Sequence, residues 1–310
     1  MKIGIAGAGG VGGYFGSFLT AAGFDTHFLA RGRHRHVMAE EGLQIHSGQG
    51  SFRVLVHATP EPEEIGPVDL LLFCVKSYDT STAAVQISPM VAEDTVIVSL
   101  QNGVDNVEKL MDIHGEEKVL AGTAFIEASI ASPGVILHRG RPGRIVFGEV
   151  CRRSSGRSLD ILHAFCRAGI EAELSEDITK VLWSKFLFIC GVHGPSTVTR
   201  SPLGQVRTCP ETRELMIGLM REVDTVARRL GISLGEDAVE RCVELADSYN
   251  PQFRCSMLRD LEWKRPMEVE ALNGMVVGLG RELHVETPLN QSICACLSLE
   301  NQKILNPFWT

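Results

Sequence analysis

The chain has 310 residues, 44% of them apolar and 22% charged, with a formal net charge of -8. That length supports one or two globular domains with a sizeable core, and that balance excludes a disordered or fibrous chain. The acidic surplus offers no global positive field to a nucleic-acid backbone, so no nucleic-acid partner is expected.

No apolar run approaches the roughly 20 residues needed to cross a bilayer, and residues 3–13 are too glycine-rich for a secretory signal. The expectation is therefore no membrane partner and a cytoplasmic location. The nine cysteines are scattered and odd in number, and none forms a C-x-x-C pair. They read as reduced thiols in core positions, and no metal site is expected.

In chain order, residues 2–6, 26–30, 52–58, 68–75 and 95–100 read as strands, several apolar throughout as in a sheet covered on both faces. Between the first two, Val11, Phe15, Phe18, Leu19 and Ala22 recur at helical spacing, with Gly23 as the stop. Together they predict a βαβ unit in a parallel, doubly wound sheet. From residue 119 to 149 the pattern turns β-rich and is punctuated by Pro133, Gly134, Gly140, Pro142 and Gly143, which predicts meander-like strands extending the sheet edge. A helix and a strand within 158–174 close this half. Beyond residue 175 helical patterns take over, at 177–192, 211–230, 236–248, 256–263, 267–283 and 291–304. The fold class is thus an α/β Rossmann-type N-terminal domain, residues 1–174, followed by an all-α C-terminal domain, residues 175–310. No Gly/Ser linker separates the two, which favours a packed interdomain cleft over free tethering.

Gly7, Gly9 and Gly12 form G-x-G-x-x-G between the first strand and the first helix, with Gly10 and Val11 completing the loop. The first glycine permits a tight turn, the second lets backbone approach a pyrophosphate, and the third lets helix and strand pack closely. The helix start then offers free N–H groups and a positive dipole end to phosphates. A merely tight turn is the plain alternative, but the motif's place after a short buried strand favours a dinucleotide. At the end of the second strand stands Arg31, where an NAD site would carry Asp or Glu. A guanidinium there pairs with a 2′-phosphate, with Arg33 near enough to assist, so NADP(H) is the expected cofactor. The bland reading of residues 31–36 is a solvated basic turn.

Lys76 and Asn102 follow the fourth and fifth strands at their C-terminal ends, the edge where doubly wound sheets bind ligands, so both are expected to line the nicotinamide side of the cofactor site. Asn102-Gly103 is equally readable as an ordinary turn. In the second half, Lys185 stands alone in the apolar stretch Leu182-Trp183-Ser184-Lys185-Phe186-Leu187-Phe188-Ile189. An apolar setting lowers a lysine's pKa toward a range useful for proton transfer, whereas a snorkelling lysine at a helix edge would leave it ordinary. Glu268, two residues after Pro266, is expected in the first turn of a helix, as a ligand group or simply as a helix-start charge.

These residues add up to a resemblance. Gly7-Ala8-Gly9-Gly10-Val11-Gly12, Arg31, Cys74-Val75-Lys76, Gln101-Asn102-Gly103, Gly122-Thr123, Trp183-Ser184-Lys185, Ser256-Met257-Leu258-x-Asp260 and Glu268-Val269-Glu270-x-x-Asn273-Gly274 run in the order and spacing of ketopantoate reductases. The chain resembles that family from end to end. The resemblance implies NADPH-dependent reduction of 2-dehydropantoate (ketopantoate) to pantoate. It further implies Lys185 as catalytic acid, Glu268 as holder of a substrate hydroxyl and Ser256 as a contact to the substrate carboxylate, with Asn102 and Lys76 in the cleft. The chain departs from the family one and two turns beyond Lys185. There Ile189 and His193 stand in place of asparagines, and only His193 can partly replace an amide. A different small 2-oxo acid or ketone is thus an alternative substrate. A non-catalytic NADP-sensing protein is a contrasting reading, which the joint presence of Lys185, Ser256 and Glu268 opposes. A homodimer is compatible with the helical half, although no single residue specifies one.

Overall fold

The computed structural model describes residues 1–150, 155–306 and 308, which form two compact units. The first comprises residues 1–101 and 105–178; the second comprises 102–104 and 179 onward.

In the first unit ten strands form one sheet: β1 (Lys2–Ala6), β2 (Asp25–Leu29), β3 (Leu43–Ser47), β4 (Gly50–Val54), β5 (His57–Thr59), β6 (Leu70–Phe73), β7 (Val96–Ser99), β8 (Val119–Ser132), β9 (Val135–Gly148) and β10 (Glu171–Leu174). Their order is β4-β3-β9-β8-β7-β6-β1-β2-β5, with β10 also pairing β9. The β1, β2, β5, β6 and β7 pairings are parallel, and β6 and β7 are buried at every position, which is why their sequences are apolar without alternation. Helices α1 (Gly10–Ala21), α2 (Gly32–Glu41), α3 (Pro62–Ile65), α4 (Thr80–Gln86), α5 (Asn106–His114) and α6 (Gly156–Arg167) accompany the sheet. Phe15 and Leu19 of α1 share the core with Ile3, Ile5, Phe28, Ile136 and Phe147. At the start of α6, Ser155 and Ser158 form a reciprocal capping box.

Three expectations change. The run at 52–58 is not one strand: its first part ends β4 at one extreme of the sheet, and its last part enters β5 at the other. The segment 119–149 is a long antiparallel hairpin, β8–β9, and it lies inside the sheet because β3 pairs in parallel with β9. The basic stretch after Arg31 is no turn; it opens α2.

The second unit is helical: α7 (Ile178–Val198), α8 (Leu203–Thr208), α9 (Pro210–Arg229), α10 (Ala238–Ser248), α11 (Ser256–Glu262), α12 (Met275–Glu282) and α13 (Pro288–Leu305). Met216, Leu219, Met220, Val223, Val226 and Ala227 of α9 recur at i, i+3, i+4 spacing and pack with Phe186, Leu187, Cys190 and Val192 of α7. A Cβ on Gly191 would lie 2.4 Å from Met220 Cγ, so these two helices approach closely there. Helix α7 runs six residues past its expected end and through Pro195. The expected helix at 267–283 instead opens with a π-helical turn, Glu270–Gly274, in which the Gly274 N–H donates to the Val269 carbonyl at 2.9 Å. Among the described residues no helix is long and apolar enough to cross a membrane, and no group of three or more His, Cys, Asp or Glu side chains is placed to hold a metal.

Candidate active site

The glycine loop joins β1 to α1. Gly7 has a left-handed φ of +93°, and a Cβ there would lie 2.8 Å from the Cys74 carbonyl carbon. A Cβ on Gly12 would come within 2.2 Å of the Gly7 carbonyl oxygen, so only glycine lets α1 start this close to β1. Around Gly9 a Cβ would meet nothing within 4 Å, which leaves that side of the loop open to a ligand. Gly9 is also the N-cap of α1; no side chain caps the helix, and its first turn carries no acidic residue. Gly10, Val11 and Gly12, which precede the first helical bond from the Gly13 N–H to the Gly9 carbonyl at 2.8 Å, therefore present N–H groups without a side-chain cap and an uncompensated dipole end. The loop thus fits a dinucleotide pyrophosphate.

Arg31 lies just past β2 as the extended N-cap of α2 and is solvent-exposed, as is Arg33; Arg35 is half-buried. Lys76, half-buried, precedes a short turn, and its carbonyl accepts from the Asp79 N–H at 2.8 Å. Gln101 donates its amide to the Val75 carbonyl at 3.1 Å and to Thr80 Oγ1 at 2.7 Å. That pair of bonds pins the residue before Asn102 to the loop carrying Lys76. Asn102 itself is half-buried and is followed by Gly103 at φ +99°. Residues 102–104 group with the helical unit, where Val104 packs on the core.

Within the helical unit, α7 places Lys185, Ile189 and His193 at i, i+4 and i+8 along one face. The Lys185 side chain as a whole is only half-buried, yet desolvation of its ammonium dominates and pulls its pKa down to about 8, while the nearby Glu268 carboxylate pushes it back up. Glu268 is itself buried, at 6% exposure. It stands just before the π turn, not inside a first helical turn as expected, and its carbonyl accepts from the Leu272 N–H at 3.2 Å. The structure therefore brings Lys185 and Glu268 into electrostatic contact. Ser256 opens α11 and is half-buried; the preceding Cys255 Sγ lies 3.8 Å from Thr197 Oγ1 in the last turn of α7. His193 is buried, and Ile189 belongs to the apolar core.

Two residues were given no role by sequence reasoning alone. Asn273, fully buried in the π turn, donates its amide to the Cys190 carbonyl at 3.2 Å and to Asn290 Oδ1 at 2.8 Å, and so ties the segment after Glu268 to the lysine helix. Its sequence signal is its place in the Glu268-Val269-Glu270-x-x-Asn273-Gly274 motif, which gives it no role of its own. His34 hydrogen-bonds the Ala8 carbonyl oxygen through Nε2 at 2.9 Å, and its Nδ1 accepts from the Gly134 N–H at 3.0 Å. Nothing in the spacing of residues 31–36 distinguishes this histidine from the basic residues around it.

Comparison with known proteins covers both units. Residues 3–151 match the family described as ketopantoate reductase PanE/ApbA, and residues 177–301 match its C-terminal counterpart. An uncharacterized oxidoreductase of Bacillus subtilis, YkpB, is 30% identical over 302 residues, covering 96% of this chain and 98% of its own. A 2-dehydropantoate 2-reductase of Archaeoglobus fulgidus is 30% identical over 293 residues, covering 94% of this chain and 95% of its own. Among solved structures, a PanE/ApbA family ketopantoate reductase from Ralstonia eutropha superposes with a TM-score of 0.92 at 30% identity, over 99% of this chain and all of the other.

Proposed function

This chain belongs to the ketopantoate reductase family, and from that premise we propose that it is an NADPH-dependent reductase converting a 2-oxo acid to the 2-hydroxy acid, with ketopantoate as the first substrate to test. The observation that carries the reading is Lys185, a lysine in an apolar helix with its pKa drawn down to about 8 beside a buried carboxylate. Such a group is charged at neutral pH yet gives up its proton far more readily than an ordinary lysine.

The bound nicotinamide supplies the hydride for the ketone carbon. The chain does the rest. Lys185 meets the substrate oxygen as negative charge develops on it and delivers a proton there. Glu268 accepts a hydrogen bond from a substrate hydroxyl, Ser256 holds the substrate carboxylate, and Asn102 and His193 supply further polar contacts. Gly7, Gly9, Gly10, Val11 and Gly12 cradle the pyrophosphate, Arg31 pairs with the 2′-phosphate, and Lys76 serves the dinucleotide side. On this reading residues 1–174 bind the dinucleotide, and residues 175–310, joined by Asn102, bind the substrate. The protein acts as a homodimer, a view supported by Leu230, Leu245, Trp263, Leu299 and Leu305, which the helical unit leaves exposed.

Ile189 favours a second reading, in which the substrate is another short branched 2-oxo acid. Its side chain is 4% exposed within an apolar core and cannot satisfy a substrate hydroxyl. Steady-state turnover with NADPH and NADH against a panel of small 2-oxo acids separates the two. Turnover of ketopantoate above the other acids supports the first reading, and failure with every acid overturns both.

A further inference from the structure

His34 is the third residue of α2, and its imidazole reaches out of the helix to two other segments. A carbonyl oxygen can only accept and a backbone N–H can only donate. The bond to the Ala8 oxygen, 2.9 Å, therefore requires the proton on Nε2, and the bond from the Gly134 N–H, 3.0 Å, requires the lone pair on Nδ1. Both ring nitrogens are used and the neutral tautomer is fixed. Burial, which holds the imidazole's pKa below its usual value, favours the same neutral form.

Ala8 lies between Gly7 and Gly9 in the dinucleotide loop, and its carbonyl shares one peptide plane with the Gly9 N–H. In a trans peptide the two point in opposite directions, so a bond that holds the Ala8 oxygen toward α2 also fixes where the Gly9 N–H is aimed. The other anchor is equally firm. Gly134 has φ +75°, and a Cβ there would lie 2.4 Å from a Val37 methyl, so the β8–β9 turn is seated directly on α2. Strand β8 also lies against the loop, because a Cβ on Gly10 would come 2.3 Å from the Ala128 carbonyl oxygen. We infer that His34 is a positioning residue for the dinucleotide: it orients the Ala8–Gly9 peptide from the β8–β9 turn, so that the start of α1 is already set to receive the pyrophosphate. The inference rests on dinucleotide binding at the glycine loop and is independent of which 2-oxo acid is reduced.

Calorimetric titration of the full chain with NADPH, and separately with NADH, tests it on wild type, His34→Ala, His34→Asn and His34→Gln, with the melting temperature of each unliganded protein as the folding control. The Gln amide can donate to the Ala8 oxygen from about the position of Nε2, whereas the shorter Asn amide occupies the place of Nδ1. Loss of the Ala8 bond should raise the dissociation constant about five- to tenfold in the Ala and Asn variants, and Gln should recover most of the affinity. A lower melting temperature with unchanged dissociation constants would reduce His34 to a brace in the fold, and a Gln variant no better than Asn would also overturn the inference. If the Ala variant does not fold, the comparison of Asn with Gln decides. Wild-type protein that binds a dinucleotide but reduces no 2-oxo acid sinks the proposed reaction alone. Wild-type protein that binds neither dinucleotide overturns both.

Discussion

Lys185 concentrates the chemistry at the scale of single residues. A lysine is charged below its pKa and neutral above it, and a proton donor works only while charged. With that pKa drawn down to about 8 by burial, the rate of ketone reduction should fall as pH rises through that value, which a pH profile of kcat measures directly. Because the Glu268 carboxylate pushes the pKa upward, Glu268→Gln should move this alkaline limb to lower pH, in addition to raising the Michaelis constant for the oxo acid. Lys185→Ala should lower turnover by roughly 10²-fold or more with NADPH affinity nearly unchanged; near-normal turnover in a folded variant returns the lysine to a packing role. Arg31 lies in the other unit and is exposed. Arg31→Ala should weaken NADPH binding by about 1.5–3 kcal/mol and leave NADH binding little changed, since only NADPH offers the phosphate. Equal wild-type affinity for the two dinucleotides would sink that assignment.

Among the elements, the β1–α1 junction allows a paired experiment on two glycines of one loop. Gly12→Ala forces α1 away from β1, because its Cβ would sit 2.2 Å from the Gly7 oxygen and 2.9 Å from Ile5 Cγ2. Overpacking of this kind costs about 1–3 kcal/mol, so both the melting temperature and dinucleotide affinity should drop. Gly9→Ala meets nothing in the protein and has a φ of -75° that alanine adopts freely. Its melting temperature should stay near wild type while affinity falls, and a large loss of stability would contradict the open side described for Gly9. This junction was readable in the sequence because each glycine answers to a local geometric need. The parallel strands were readable for a related reason: burial on both faces leaves continuous apolar runs such as Leu70–Phe73. Helix α2 was not, since Met38 is its one fully buried residue and no apolar stripe marks its face. Nor was the division of residues 52–58 between opposite ends of the sheet, for a strand's composition records burial and not its neighbour. The extension of α7 was hidden by Pro195, which ordinarily ends a helix. The lone lysine of α7 was conspicuous; Asn273 stood in a recognisable motif, but its partners Cys190 and Asn290, like those of the His34 imidazole, are distant in sequence and no spacing reveals them.

For the whole molecule, the homodimer is checked by light scattering coupled to gel filtration, and a single species at the 33.9 kDa of one chain would exclude it. The eight cysteines among the described residues are all free thiols, so the melting temperature should be indifferent to a reductant. Strand β3 pairs with β9, and in that pairing Ser47 reaches His138, 91 residues further along. At a synthesis rate of about 5–20 residues per second, the β3 edge, with Leu43 and Ile45 destined for full burial, stands bare on the ribosome for roughly 5 to 20 s. Its sole companion in that interval is β4, across the tight hairpin of Ser47 and Gly50. An uncovered strand edge is a template for pairing with other chains. The nascent protein should thus be most open to misassembly before the second half of its sheet exists, and the yield of folded protein should rise less when synthesis is slowed or cooled than when β9 is supplied early, as in a circular permutant that places β9 ahead of β3.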